Sequence, residues 1–225
     1  MSNIVESLSK RAHVVHYKTN VEDIPTKSEI EEILRIGYPL ATSKQNAFPY
    51  QCHVLGPNLK RSENIYQMCE MNKIVFDIDT EKNYNANPYL FHVRTAPWIL
   101  IWAPRLAPPN QFNKESIEET GTMWEFDDKD YIPKAEKSYA IEVGMIAKIL
   151  TGVILDKGYD TSYTSCFPHQ IKRWTKYPFI KHAPFLIQTI GKSKLYKWQN
   201  MKPENLKKDT CPPFEDIFTF RGDDE

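Results

Sequence analysis

At 225 residues the chain can form one large domain or two small ones, and 41% apolar against 26% charged residues is the balance of a folded rather than a disordered protein. Its 29 basic and 29 acidic side chains cancel, which removes any whole-molecule charge argument for nucleic acid or a membrane surface. No apolar run approaches the roughly 20 residues that span a bilayer.

The opening segment, MSNIVESLSKRAHVVHY, lacks the uninterrupted apolar stretch and small-residue cleavage site of a secretory leader. Four cysteines (Cys52, Cys69, Cys166 and Cys211) lie far apart without paired spacing. That spacing suggests neither a zinc site nor a disulfide framework, so a cytoplasmic protein without a metal is expected. IPTKSEIEEILRIGYPLA predicts the first clear helix, capped by Thr26 or Ser28, with Ile30, Ile33, Leu34 and Ile36 inward and Pro39 ending it. The connection that follows, ATSKQNAFPY, is rich in hydrogen-bonding side chains, and QCHVLGP then reads as a short strand closed by Gly56-Pro57.

Beyond it, NLKRSENIYQ is helix-like, and the chain turns polar with Asn and Pro. APWILIWAPR predicts a buried strand: a continuous apolar run, β-branched and aromatic, bounded by prolines. Residues 106–135 combine Pro, charge and three large aromatics, Trp124, Phe126 and Tyr131, and suit a lid or excursion. SYAIEVGMIAKILTGVILDKGYD predicts a long helix apolar on nearly every side except Glu142, Lys148 and Asp156-Lys157. Such a helix is expected to be buried all round, either in a monomer's centre or along a subunit interface, with Gly144 and Gly152 admitting another helix closely and Gly158 ending it. APFLIQTIG is a further strand, no internal repeat is found, and one domain spanning 1–225 is expected.

Four separated pieces occur in an order that resembles the FMN-dependent nitroreductase family. That family pairs an Arg-x-Ser-x-Arg/Lys-x-Phe segment with a Pro-Ser-x-x-Asn-x-Gln-Pro-Trp loop. Here the first piece reads Arg11-Ala12-His13-Val14-Val15-His16-Tyr17; Arg11 and Tyr17 fit, while His13 replaces the serine and Val15 the second basic residue. In the second, Ser43, Asn46, Pro49 and Tyr50 match in register, with Lys44 between them. The third keeps the spacing from Gly158 to Phe167, placing Ser165-Cys166 where the flavin-contacting backbone sits. The fourth, Lys208-Asp209-Thr210-Cys211-Pro212, resembles a Lys-x-Arg-x-Pro phosphate segment with threonine for arginine.

The resemblance implies an α+β fold, a central mostly antiparallel sheet flanked by helices, and a homodimer with exchanged segments and FMN at the interface. A dianionic phosphate calls for guanidinium and ammonium groups. Arg11 and Lys208 could supply them, with Lys207 or Lys44, while Ser43 and Asn46 suit the ribityl hydroxyls. His13, Asn87, Ser165 and Cys166 complete the implied cofactor set, and Trp124, Phe126 and Tyr131 are candidates for the substrate pocket. The implied reaction is ping-pong hydride transfer from NADH or NADPH, through flavin N5, to nitroaromatics, quinones or similar flat acceptors, with no acid–base side chain required. Because Val15 cannot stabilise a reduced flavin, another donor is needed, from Asn83, Asn85 and Asn87 or from Arg94. Reductive dehalogenation, flavin cleavage, or flavin binding without turnover stand as alternatives.

Overall fold

All seven residues of Trp98–Pro104 are buried, and this strand organises the fold. In the computed structural model, which describes residues 8, 14–43, 46–70, 91–105, 111, 114, 136–165, 174, 177, 178, 180 and 184–196, the strands are β1 (Val14–Tyr17), β2 (Tyr50–Leu55), β3 (Trp98–Pro104), β4 (Asp160–Ser165), β5 (Leu186–Gly191) and β6 (Ser193–Tyr196). The helices are α1 (Lys27–Gly37), α2 (Leu59–Glu70), the short α3 (Phe91–Thr95) and α4 (Glu136–Asp156). One sheet has the order β2-β3-β5-β4, antiparallel at every step, and β1 pairs with β6 in a separate antiparallel ribbon. The expected α+β architecture with an antiparallel sheet is therefore the one observed.

Strand geometry sends alternate residues of β3 to opposite faces. Ile99 and Ile101 join Val14, Tyr17, Ile65, Val93 and Trp174 in one core. Trp98, Leu100 and Trp102 join Ile30, Ile33, Ile146, Leu150 and Ile154 in the other, under α1 and α4. Since each large aliphatic side chain so buried stabilises the fold by roughly 1.5–3 kcal/mol, a strand packed on both faces needs no polar alternation. This is why its sequence reads as a continuous apolar run.

α1 begins with a capping box. Thr26 Oγ1 accepts from the Glu29 N–H at 3.3 Å, and the Glu29 carboxylate accepts from the Thr26 N–H at 2.7 Å. α4 ends in a Schellman turn at Gly158 (φ 78°): the Gly158 N–H donates to the Leu155 carbonyl and the Tyr159 N–H to the Ile154 carbonyl. Both helix ends were legible in the sequence.

Within the chain, Val143, Ile146, Ala147, Leu150, Val153 and Ile154 of α4 face the core, whereas Ile141 is 63% and Met145 43% exposed, so the chain itself covers α4 on one side only. Within the chain nothing lies against Gly144, since a Cβ there would meet nothing within 4 Å; a close approach comes at Gly37 of α1, where a Cβ would strike the Leu150 side chain. Ile36, expected inward, is 42% exposed. The strands β4 and β6 were not foreseen, because DTSYTS and SKLY carry none of the apolar patterning that marks β3.

Candidate functional site

The connection between α1 and β2 is held in an unusual backbone shape. Tyr38–Leu40 tighten into a 3-10 turn after α1, and Ala41, Ala47 and Pro49 are buried. Two non-glycine residues of this connection adopt left-handed backbone, Asn46 at φ 51° and Phe48 at φ 44°. Such a conformation costs an L-residue roughly 1–2 kcal/mol, and asparagine bears it more readily than phenylalanine. Strain of this kind persists only where the surroundings over-determine it, and it concentrates at functional sites.

Two residues remote in sequence hold the turn. Ser43 Oγ accepts from the Phe48 N–H at 2.7 Å and donates to Glu142 Oε2 on α4, also at 2.7 Å. Glu142 is only 7% exposed. From the other side, the residue after β3, Arg105, donates from Nε to the Phe48 carbonyl at 2.7 Å, from Nη2 to the Ala47 carbonyl at 3.3 Å, and from its own N–H to the Pro49 carbonyl at 3.1 Å. A buried carboxylate and a guanidinium thus grip the loop from opposite sides. The Phe48 ring lies 5.5 Å from Tyr38 and 6.1 Å, edge-on, from Tyr50, which in turn meets Trp102 edge-on at 5.8 Å. Burial pushes the Tyr50 phenol up to about 12, and the Glu142 charge adds to it.

Strand register collects further elements at the same end of the sheet. Cys52 pairs with Trp102, Trp102 with Leu186, and Leu186 with Ser165. The loop leading into β2, Arg105 after β3 and the last residue of β4 therefore share one end of the sheet, across three strand spacings or roughly 14 Å. Beside the loop, between α1, β2 and α4, lies a cavity of about 280 Å³ whose walls include Leu34, Tyr38, Tyr50, Cys52, Trp102 and Leu150.

Of the anticipated site residues, Ser43, Asn46 and the backbone of Ser165 are described, and register brings them to one end of the sheet. Arg11, His13, Lys44, Asn87, Cys166, Lys207, Lys208, Trp124, Phe126 and Tyr131 lie outside the described residues. Arg94, considered as a substitute for a base at Val15, forms an ion pair with Glu63 at 2.5 Å and lies over the Tyr66 ring. It also stands near β1: the His16 imidazole is held below its ordinary pKa by burial and then by the charges of Lys194 and Arg94. Glu142 and Arg105 were missed as loop anchors. Helical register offered a signal for Glu142, which lies four residues before Ile146 and so borders the buried stripe.

Ser43 offers a chemical test of what the loop can hold. Its one proton goes to Glu142 and one lone pair to Phe48 N–H. The remaining lone pair can accept but not donate, so it suits a hydroxyl and not a phosphate oxygen. Asn46 is exposed beside it.

No family model and no curated protein matches the sequence. Solved structures do match the fold. A protein from Exiguobacterium sibiricum assigned as a nitroreductase and solved in complex with FMN is 17% identical, with a TM-score of 0.63 over 98% of both chains. A protein from Staphylococcus epidermidis assigned as an NAD(P)H:FMN oxidoreductase is likewise 17% identical, with a TM-score of 0.63 over 98% of this chain and 97% of that one. An FMN-dependent nitroreductase from Clostridium difficile is 14% identical, with a TM-score of 0.53 over 89% and 95%. The chain therefore has the nitroreductase fold.

Proposed function

We propose that the chain is an FMN-dependent oxidoreductase that draws on NADH or NADPH and reduces nitroaromatics, quinones or similar flat acceptors. The observation that carries this reading is the fold likeness over 98% of both chains to a protein solved with FMN. The chemistry of the α1–β2 loop supports it: the one valence Ser43 has left accepts a hydroxyl proton, as a ribityl chain would offer, and Asn46 stands exposed alongside.

In this reading Ser43 and Asn46 orient the ribityl chain, and Glu142 and Arg105 keep the loop in its strained shape before the cofactor arrives. Arg11 and Lys208, with Lys207 or Lys44, hold the phosphate; His13 and Asn87 contribute further contacts, and the Ser165–Cys166 backbone meets the flavin ring. When bound, FMN supplies the two-electron chemistry between nicotinamide and acceptor, which leaves the protein to bind, orient and exclude water. Two copies of the chain enclose the cofactor, and the exposed Ile141–Gly144–Met145 face of α4 is the natural contact, since large apolar side chains left in water favour association. The chain acts as one domain.

The test is anaerobic. The purified protein, reconstituted with FMN, is mixed with NADH or NADPH and its flavin absorbance followed. Bleaching, then recovery on adding a quinone or nitroaromatic, is the expected result. An absorbance that neither nicotinamide changes contradicts the reductase reading.

A further inference from the structure

A single carbonyl of α4 receives three side chains. That of Ala147, a residue 2% exposed, accepts from Thr151 Oγ1 at 2.8 Å, from the Tyr163 hydroxyl of β4 at 3.0 Å and from Gln188 Nε2 of β5 at 3.3 Å. Thr151 and Tyr163 also share a hydrogen bond through their hydroxyls. Gln188 lies opposite Tyr163 in the ladder between the two strands. The apolar core that α4 shares with β3 and β5 is non-directional in its grip. Hydrogen bonds demand one geometry, so these fix the helix over the sheet.

We propose that Tyr163 is a positioning residue for the flavin: by its bond to α4 it sets the place of Ser165 relative to Ser43. In the flavin reading on which this rests, Ser43 meets the ribityl chain and the Ser165–Cys166 backbone meets the ring. Both segments are then referred to one helix. Glu142, roughly 7.5 Å along the α4 axis from Ala147, accepts the Ser43 proton and so holds the loop. Tyr163 holds the end of β4 to the same helix. A ligand that touches both segments binds best when their spacing is set beforehand.

The end of β4 needs such a tie. Among the described residues β4 is the last strand of its sheet, with β5 alone beside it. Its ladder stops at Ser165, which lies opposite Leu186, the first residue of β5. Thr164 ties β4 to His92 of α3 at 2.9 Å, on the other face of the sheet. Tyr163, two residues before Ser165, is the side chain that reaches α4. Its loss leaves Thr151 on the Ala147 carbonyl, so Tyr163→Phe removes the tie and keeps the fold.

FMN titrations of the full chain, with the visible spectrum of the bound flavin recorded, test this. The parent is compared with Tyr163→Phe, with Tyr163→p-aminophenylalanine, which restores a donor on the ring, and with Ser62→Ala. The last removes a buried hydroxyl-to-carbonyl bond of the same kind, to Ala96, in the core on the other face of the sheet. Tyr163→Phe is expected to raise the FMN dissociation constant about fivefold and to shift the flavin absorption band. The amino analogue should return both to the parent values, and Ser62→Ala should leave both unchanged. A Tyr163→Phe protein that matches the parent in affinity or spectrum, a Ser62→Ala protein with the same changes, or no recovery with the amino analogue overturns the role of Tyr163 and leaves the flavin reading in place. A parent that takes up no FMN overturns both.

Discussion

The Ser43 hydroxyl donates to the Glu142 carboxylate at 2.7 Å, which ties the α1–β2 loop to a helix 99 residues further along the chain. The same hydroxyl accepts the Phe48 N–H, so a single side chain converts the fixed position of α4 into the shape of the loop. Removing the acceptor should release both. Glu142→Ala is expected to destabilise the protein by about 1–3 kcal/mol, the range for a buried hydrogen-bonding group left without its partner. Its affinity for FMN should fall as the loop loosens. Glu142→Gln keeps an acceptor oxygen and should retain most of both. Urea melts and FMN titrations of the two variants check this; equal losses in both would show that the charge, not the hydrogen bond, matters.

The left-handed backbone at Asn46 gives a second test. Glycine adopts φ near +50° without a Cβ penalty, whereas alanine does not. Asn46→Gly should be within a few tenths of a kcal/mol of the parent or slightly more stable, and Asn46→Ala should lose about 1 kcal/mol. Chemical denaturation separates these. The glycine variant should nevertheless bind FMN more weakly if the Asn46 amide contacts the ribityl chain.

At Gly37 α1 packs directly on α4, and a methyl group there would overlap the Leu150 side chain. Gly37→Ala is expected to cost about 1–3 kcal/mol through overpacking, despite the higher helix propensity of alanine. Leu150→Ala alone should cost about 2–5 kcal/mol. The double variant should lose less than the sum, since the new methyl occupies vacated space. Strict additivity in thermal or urea melts would count against this contact.

The start of α1 is joined to Tyr159, the residue before β4, through Glu29. Its carboxylate accepts from Tyr159 at 2.5 Å and from the Thr26 hydroxyl and N–H at 2.7 Å each. The Tyr159 bond, followed by the two from Thr26, draws the Glu29 pKa down to about 2 from 4.5. A folded pKa below the unfolded one contributes stability above pH 4.5, and that contribution is lost as the pH falls towards 2. Tyr159 behaves in the opposite sense: burial, then the Glu29 bond, raises it to about 12, so its share is present below pH 10 and lost as the pH rises through 12. Because Glu29 is partly open to solvent, screening limits its share to about 1 kcal/mol. Urea melts of Glu29→Gln should therefore show a deficit at pH 7 that closes between pH 4.5 and 2; a deficit independent of pH would contradict this.

What could be read in the sequence follows from how local each signal is. A cap at Thr26 or Ser28, the Gly158 stop and the apolar run of β3 are set by neighbouring residues and were visible in advance. The polar loop was visible as a loop, and Ser43 and Asn46 as its notable side chains. Its anchors were not, since Glu142 and Arg105 reach it only after the sheet and α4 are assembled. β4 went unread for a related reason: its buried threonines rest on hydrogen bonds, Thr161 with Gln188 at 3.3 Å and Thr164 with His92 at 2.9 Å, rather than on apolar contacts. Composition marked α4 as apolar on nearly every side but cannot say which of those residues the chain itself covers.

The most direct test of the flavin reading is the visible spectrum of the protein as purified, before and after denaturation, with calorimetric titration of FMN into any colourless fraction. One FMN per chain, released on unfolding or taken up on titration, is the expected result. A well-folded preparation that is colourless and takes up no FMN contradicts it.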